Sequence, residues 1–129
     1  MSEESEQNLA PNVYAAICPS REVLALIGEK WVSLIVGALD QRILRFGELK
    51  RVCEGISQKM LSQSLRKLER DGLVVRCAYD DERVLRVEYS LSPLGESLVP
   101  IVKMAKSWSE SHLPEIESHR DAYDQSGAC

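Results

Sequence analysis

The sequence predicts a mostly helical fold with a small β-wing (α+β), in which a helix-turn-helix is followed by a hairpin. Three stretches carry the prediction. Phe46-Gly-Glu-Leu-Lys-Arg-Val-Cys-Glu-Gly-Ile reads as a short amphipathic helix running into a turn. Ser57 to Gly72 reads as a longer amphipathic helix. Leu73–Tyr79 and Val84–Leu91 read as two strands around the turn Asp80-Asp-Glu-Arg83. In that order these are the parts of a winged helix-turn-helix, whose second helix lies in the DNA major groove.

The second helix follows from its ends and its spacing. Ser57 is an N-cap, since its hydroxyl can accept a bond from an unpaired amide of the first turn. Gly72 is a stop, because glycine tolerates the left-handed conformation just past a helix end. Between them Met60, Leu61, Ser64, Leu65 and Leu68 share one side at roughly 100° per residue. The other side collects Lys59, Ser62, Gln63, Arg66 and Arg70, with Gln58 and Lys67 flanking. A solvated face is the plain alternative, but such a face mixes both signs. Here Glu69 stands only at the edge and Asp71 only at the end. Gln, Ser, Lys and Arg are also the side chains that read base edges and hold phosphates. Ser57, Gln58, Lys59, Ser62 and Gln63 are therefore the expected base readers. Lys30, Arg45, Arg66, Lys67 and Arg70 are the expected backbone contacts.

The hairpin is rich in β-branched and aromatic residues, as strands are. Placed after a reading helix it is a wing, and Arg76, Arg83 and Arg86 are its candidate phosphate or minor-groove contacts. The acidic tip, Asp80-Asp-Glu82, is unusual for a loop facing DNA and suggests a tip beside the duplex.

Upstream, Val32-Ser-Leu-Ile-Val-Gly-Ala-Leu39 reads as a buried helix, with Trp31 expected in the core. Downstream, Pro93 suits the first turn of a helix capped by Ser92. Leu94, Leu98, Ile101, Val102, Ala105 and Trp108 then recur at helical spacing. The stripe either packs on its own domain or meets a second copy. A chain this small has little core to cover it, which favours a dimer interface, with Val13–Ile17 adding to it. A dimer places two reading helices on half-sites roughly 34 Å apart. Ile116 extends the pattern into a last short helix. The expected organisation is a flexible acidic N-terminus over 1–12, the DNA-binding unit over 13–91, dimerisation helices over 92–123 and a frayed tail over 124–129.

Charge fits this division. The net charge of −4 opposes DNA binding only in the total. Residues 21–79 carry 11 basic and 7 acidic side chains, whereas residues 80–129 carry 5 and 10. Local field governs phosphate contact. No run of about 18 apolar residues exists, so no membrane span is expected. The acidic start lacks a signal peptide's charged and apolar regions, so a cytoplasmic, nucleoid-associated protein is expected.

The four cysteines, Cys18, Cys53, Cys77 and Cys129, contain no CxxC pair, which disfavours a zinc site or a disulfide framework. Pro19 and Ser20 open a helix directly after Cys18, where unpaired amides and the dipole favour a thiolate. Cys18 is either an oxidisable thiol or a small apolar filler. Cys77 is a possible resolving partner for it. Catalysis is not expected. A cysteine nucleophile requires a nearby base, and the only histidines, His112 and His119, lie in the C-terminal stretch. No cofactor or metal is implied. A regulator with an apolar effector cavity near Tyr14, Trp31 and Trp108, and an interaction module without DNA binding, are the competing readings.

Cys18-Pro19, Ile27-Gly-Glu-Lys-Trp31, Arg45-Phe46-Gly-Glu-Leu49, Gly55-Ile-Ser-Gln-Lys-Met-Leu61, Leu65-Arg-Lys-Leu-Glu-Arg-Asp-Gly-Leu73 and Val87-Glu-Tyr-Ser-Leu91 together resemble the HxlR-type transcriptional regulators. The resemblance runs from about Cys18 to Trp108. The chain departs from that family in lacking a Pro-Pro pair in the wing and a Gly-Pro-type turn before Arg45. The resemblance implies a homodimeric winged-helix protein that binds double-stranded operator DNA. It also favours a redox or electrophile sensor, since several such regulators sense oxidants or reactive aldehydes through a cysteine at this Cys-Pro position.

Overall fold

The computed structural model describes residues 11–81 and 84–127. Its elements are α1 (Pro19–Gly28), α2 (Lys30–Ala38), β1 (Leu44–Arg45), α3 (Phe46–Val52), α4 (Gln58–Arg70), β2 (Val74–Asp81), β3 (Val84–Leu91) and α5 (Pro93–Ser126). The sheet is antiparallel with order β1-β3-β2. Much of the expected N-terminus, residues 1–10, lies outside the described residues, as do Arg83 and Cys129.

Helix α2 is the hub, packed by α1, α3, α4 and α5. Its Val32, Ile35 and Val36, with Leu39 just past its end, are buried together with Leu49 of α3 and Leu61, Leu65 and Leu68 of α4. Burial of this kind, roughly 1.5–3 kcal/mol for each large aliphatic side chain, holds the small domain together. Trp31 does not join these fully buried residues. It sits half-buried at the rim, with Lys30 Nζ 4.5 Å from its ring centroid. Snorkelling leaves the charged head in water while the ring shields the apolar layer.

The helix ends behave as their residues dictate. Ser57 caps α4 through its hydroxyl, which accepts from the Met60 amide at 3.1 Å. Ser92 caps α5 in the same way, accepting from the Gly95 amide at 3.0 Å with Pro93 in the first turn. Glu48 accepts from the Arg45 amide at 2.9 Å and so ties down the start of α3.

Three features correct the sequence expectations. First, the first wing strand, β2, starts at Val74 and runs two residues further than expected, to Asp81, and an additional short strand, β1, pairs Leu44 with Tyr89 and Arg45 with Glu88. Two residues have no periodicity, so β1 exists only through β3. Second, α5 is one continuous helix of 34 residues rather than two, and it runs to Ser126, past the expected frayed boundary at 124. Gly127 closes it in a left-handed conformation at φ 61°. Pro100 and Pro114 stand inside it, each removing one ladder hydrogen bond without ending the helix. Third, the apolar stripe divides. Leu98 and Val102 are buried in their own domain, Val102 packing where α5 crosses Gly37 of α2. Leu94, Ile101, Ala105 and Trp108 remain exposed, joined by Met104 and Leu113. Leu98 and Val102 are therefore core rather than interface, because the crossing with α2 covers that side.

Candidate nucleic-acid interface

Helix α4 buries Leu61, Ser64, Leu65 and Leu68 and turns its other side outward. Lys59, Gln63, Arg66 and Arg70 follow one another at intervals of four, three and four residues and are all exposed. That spacing aligns them on one helical face. Gln58 is exposed at the first turn, and Ser62 is half-buried beside this row. Met60, expected on the apolar side, is 39% exposed in the first turn of α4.

The other expected contacts separate into those that join this face and those already engaged. Arg45 is exposed at the start of α3. Lys67 is held by Glu29, with Nζ 3.2 Å from Oε1. Lys30 rests on Trp31. Ser57 spends its acceptor on the cap, although its hydroxyl proton stays available.

Strand register decides the wing. Opposed residues point to the same side and neighbours alternate. Arg76 faces Tyr89 and shares a side with Val74, which is buried. Arg86 faces Tyr79 and shares the opposite side with Cys77 and Glu88. The two arginines therefore occupy opposite faces of the wing. Arg86 lies 4.8 Å over the Tyr79 ring, and its Nε is 3.8 Å from Glu88 Oε2. Arg76 instead joins Arg66 across a half-open cleft of about 480 Å³, lined by Phe46, Ser62, Leu65, Arg66, Glu69, Arg76 and Tyr89. The cleft lies between α4 and the hairpin of β2 and β3. The expected apolar cavity near Tyr14, Trp31 and Trp108 is not formed by those residues, since Tyr14 is 91% and Trp108 56% exposed.

Cys18 takes the N-cap position of α1, before Pro19. Its sulfur lies 2.9 Å from the Ser20 hydroxyl and accepts from the Asn12 amide at 3.2 Å. The Ser20 hydroxyl first, and then the amides of Asn12 and Ser20, hold its thiol below the usual thiol range; desolvation opposes them, and the Arg21 amide adds the least. Cys53 is the reverse case, buried and pushed up by desolvation. Cys18, Cys53 and Cys77 are all free thiols. Sequence reasoning found the helix start beside Cys18 but not Ser20 as its nearest polar partner, although Ser20 stands only two residues away.

Comparison with known proteins agrees with this geometry. The HxlR-like helix-turn-helix family matches residues 26–117. The chain is 44% identical over 117 residues to YtfH of Escherichia coli K12, an HTH-type transcriptional regulator, covering 91% of this chain and 92% of that one. The structure of the transcriptional regulator YtfH from Salmonella typhimurium matches with a TM-score of 0.80 at 42% identity, covering 87% of this chain and 99% of that one. The redox regulator HypR in its reduced form matches with a TM-score of 0.70 at 40% identity, covering 78% and 98%. Among the described residues no helix is long and apolar enough to cross a membrane. Sequence, fold and relatives converge: the chain belongs to the HxlR-like helix-turn-helix family and is a transcriptional regulator of winged-helix type.

Proposed function

We propose that this regulator binds operator DNA as a homodimer, reads a pseudo-palindromic sequence with α4, and is switched through Cys18. The observation that carries the DNA reading is the exposed row Lys59, Gln63, Arg66 and Arg70, whose centre holds no acid. Gln63, Lys59 and Ser62, with Ser57 and Gln58 at the helix start, face base edges. Arg66, Arg70 and Arg76 hold backbone around the cleft, with Arg45, Lys30, Lys67 and Arg86 further out; Arg83, outside the described residues, keeps the backbone role that the sequence assigns it. The exposed side of α5, Leu94, Ile101, Ala105 and Trp108, meets a second copy, because so many apolar side chains in one row favour removal from water.

The switch rests on the hydrogen bonds that hold the Cys18 thiol low and on the likeness to HypR, a redox regulator. An oxidant such as diamide takes two electrons and two protons from a pair of thiols and is itself reduced to its hydrazine. The pair forms one disulfide, from Cys18 to Cys77 of the partner subunit. Such a bond changes the angle between the two reading helices. A non-covalent anionic or apolar effector is the second reading, and the cleft between α4 and the wing is the space that favours it.

The test is titration onto DNA from upstream of the protein's own gene, by fluorescence anisotropy at several salt concentrations, reduced and after mild diamide. Tight, salt-steep binding that changes on oxidation and survives it in Cys18→Ser supports the whole reading. Binding indifferent to oxidation keeps the regulator and removes the thiol switch. Binding to no DNA at any salt leaves the interaction module.

A further inference from the structure

We infer that Gly95 is a positioning residue for DNA binding, fixing the angle at which the assembly helix α5 leaves the end of the reading helix α4. The inference rests on the operator-reading dimer proposed above.

Helix α4 ends in a left-handed turn at Gly72, φ 77°. The Gly72 amide donates to Glu69 O at 3.1 Å and the Leu73 amide to Leu68 O at 2.9 Å. These bonds close the helix C-terminus. The first residues of α5 then fasten onto the same two peptides. The Ser92 amide donates to Leu73 O at 3.0 Å, and the Ser92 hydroxyl donates to Gly72 O at 2.6 Å. That hydroxyl also accepts from the Gly95 amide. One side chain thus caps α5 and clasps α4.

Gly95 lies buried against this clasp. A Cβ there would overlap the Leu73 carbonyl oxygen, and it would stand 3.0 Å from the carbonyl carbon and 3.1 Å from Leu91 Cδ2. Gly95 is not among the residues with positive φ, so no left-handed backbone calls for a glycine. In a helix interior glycine is locally worse than alanine. What it permits is the contact between two backbones. The neighbours include peptide atoms, which cannot rotate aside as a flexible side chain can.

The exposed row Ile101, Ala105 and Trp108 lies two to four turns beyond Gly95 on the same continuous helix. In a dimer joined through that row, the separation of the two reading helices depends on how α5 leaves the Leu73 peptide. A methyl group at position 95 tilts α5 while leaving the reading face of α4 intact.

The experiment begins with selection of duplexes by the wild-type protein from a random library. Affinities are then measured for a single half-site and for full sites whose spacer is changed by one or two base pairs. Wild type is expected to prefer one spacing by about tenfold. Gly95→Ala, checked for folding by circular dichroism, is expected to hold the half-site within about twofold and to shift or flatten the spacing preference. Ser92→Thr, which keeps both hydroxyl bonds, retains the wild-type profile. Ser92→Asp keeps an acceptor for the Gly95 amide but sets a carboxylate against the Gly72 carbonyl, and it flattens the profile as well. This variant gives the answer where Gly95→Ala does not fold. An unchanged spacing profile in a folded variant, or equal losses on half-site and full site, overturns the inference alone. A wild-type protein that selects no paired half-sites overturns the operator-reading dimer, and the inference with it.

Discussion

Lys67 Nζ lies 3.2 Å from Glu29 Oε1 and 3.5 Å from Oε2, tying the reading helix to the N-cap residue of α2. Both side chains are about half exposed, at 52% and 43%. A surface pair of this kind contributes about 0–1 kcal/mol to stability. Under the proposed function the pair matters more for DNA, because Glu29 neutralises a cation assigned to phosphate. Glu29→Gln is therefore expected to leave the urea midpoint nearly unchanged and to tighten DNA binding, with a salt slope steeper by about one unit. An unchanged slope would place Lys67 away from the duplex backbone.

Gln63 and Arg66 stand next to each other on α4 but carry different predictions. An amide reads base edges, so Gln63→Ala should relax preference at one operator position at a cost of about 1–3 kcal/mol. A guanidinium on phosphate carries no sequence information, so Arg66→Ala should weaken all duplexes alike and flatten the salt slope by about one unit. Competition titrations with single-base operator variants separate the two. A loss in Arg66→Ala confined to one operator base would reassign it to base readout.

Ser20 Oγ is 2.9 Å from the Cys18 sulfur. A hydroxyl donating to sulfur favours the thiolate, so the folded thiol ionises at lower pH than an ordinary one. Removing the donor in Ser20→Ala raises that pKa, lowers the thiolate fraction at neutral pH and slows alkylation. The midpoint of the alkylation rate against pH should move upward. Cys53, buried and shifted the other way, should react more slowly than Cys18 in both proteins. A midpoint that stays in place in Ser20→Ala would mean that the backbone amides alone hold the thiolate.

Leu98 and Ile101 are three residues apart on α5 and stand in different surroundings. Leu98 is buried by its own domain, so Leu98→Ala should cost about 2–5 kcal/mol in urea unfolding. Ile101 is 53% exposed, so Ile101→Ser should change the stability of a single copy by roughly 0.5 kcal/mol or less. It should instead shift the mass measured by light scattering toward the monomer. A dimer that survives Ile101→Ser unchanged would move the interface off this row.

What the sequence by itself determined is local. Ser57 and Ser92 as caps, Gly72 as a stop, and the two long strands, marked by β-branched and aromatic residues, depend on neighbours within a few residues. The period of α4 separated its buried from its exposed side for the same reason, because one helix carries both. The candidate reading row was legible there, since four polar side chains at helical spacing need no third element to align them.

Tertiary structure decided the rest. β1 is two residues long and is a strand only because β3 supplies its hydrogen bonds. The stripe on α5 was legible as apolar, but α2 chose which members to cover, burying Leu98 and Val102 and leaving Ile101 and Trp108 in water. Register placed Arg76 and Arg86 on opposite faces of the wing, although both read as equivalent wing arginines. Glu29 and Lys67 pair across 38 residues, and Gly95 meets the Leu73 peptide across 22. Such contacts depend on where chains cross, and no local spacing encodes a crossing.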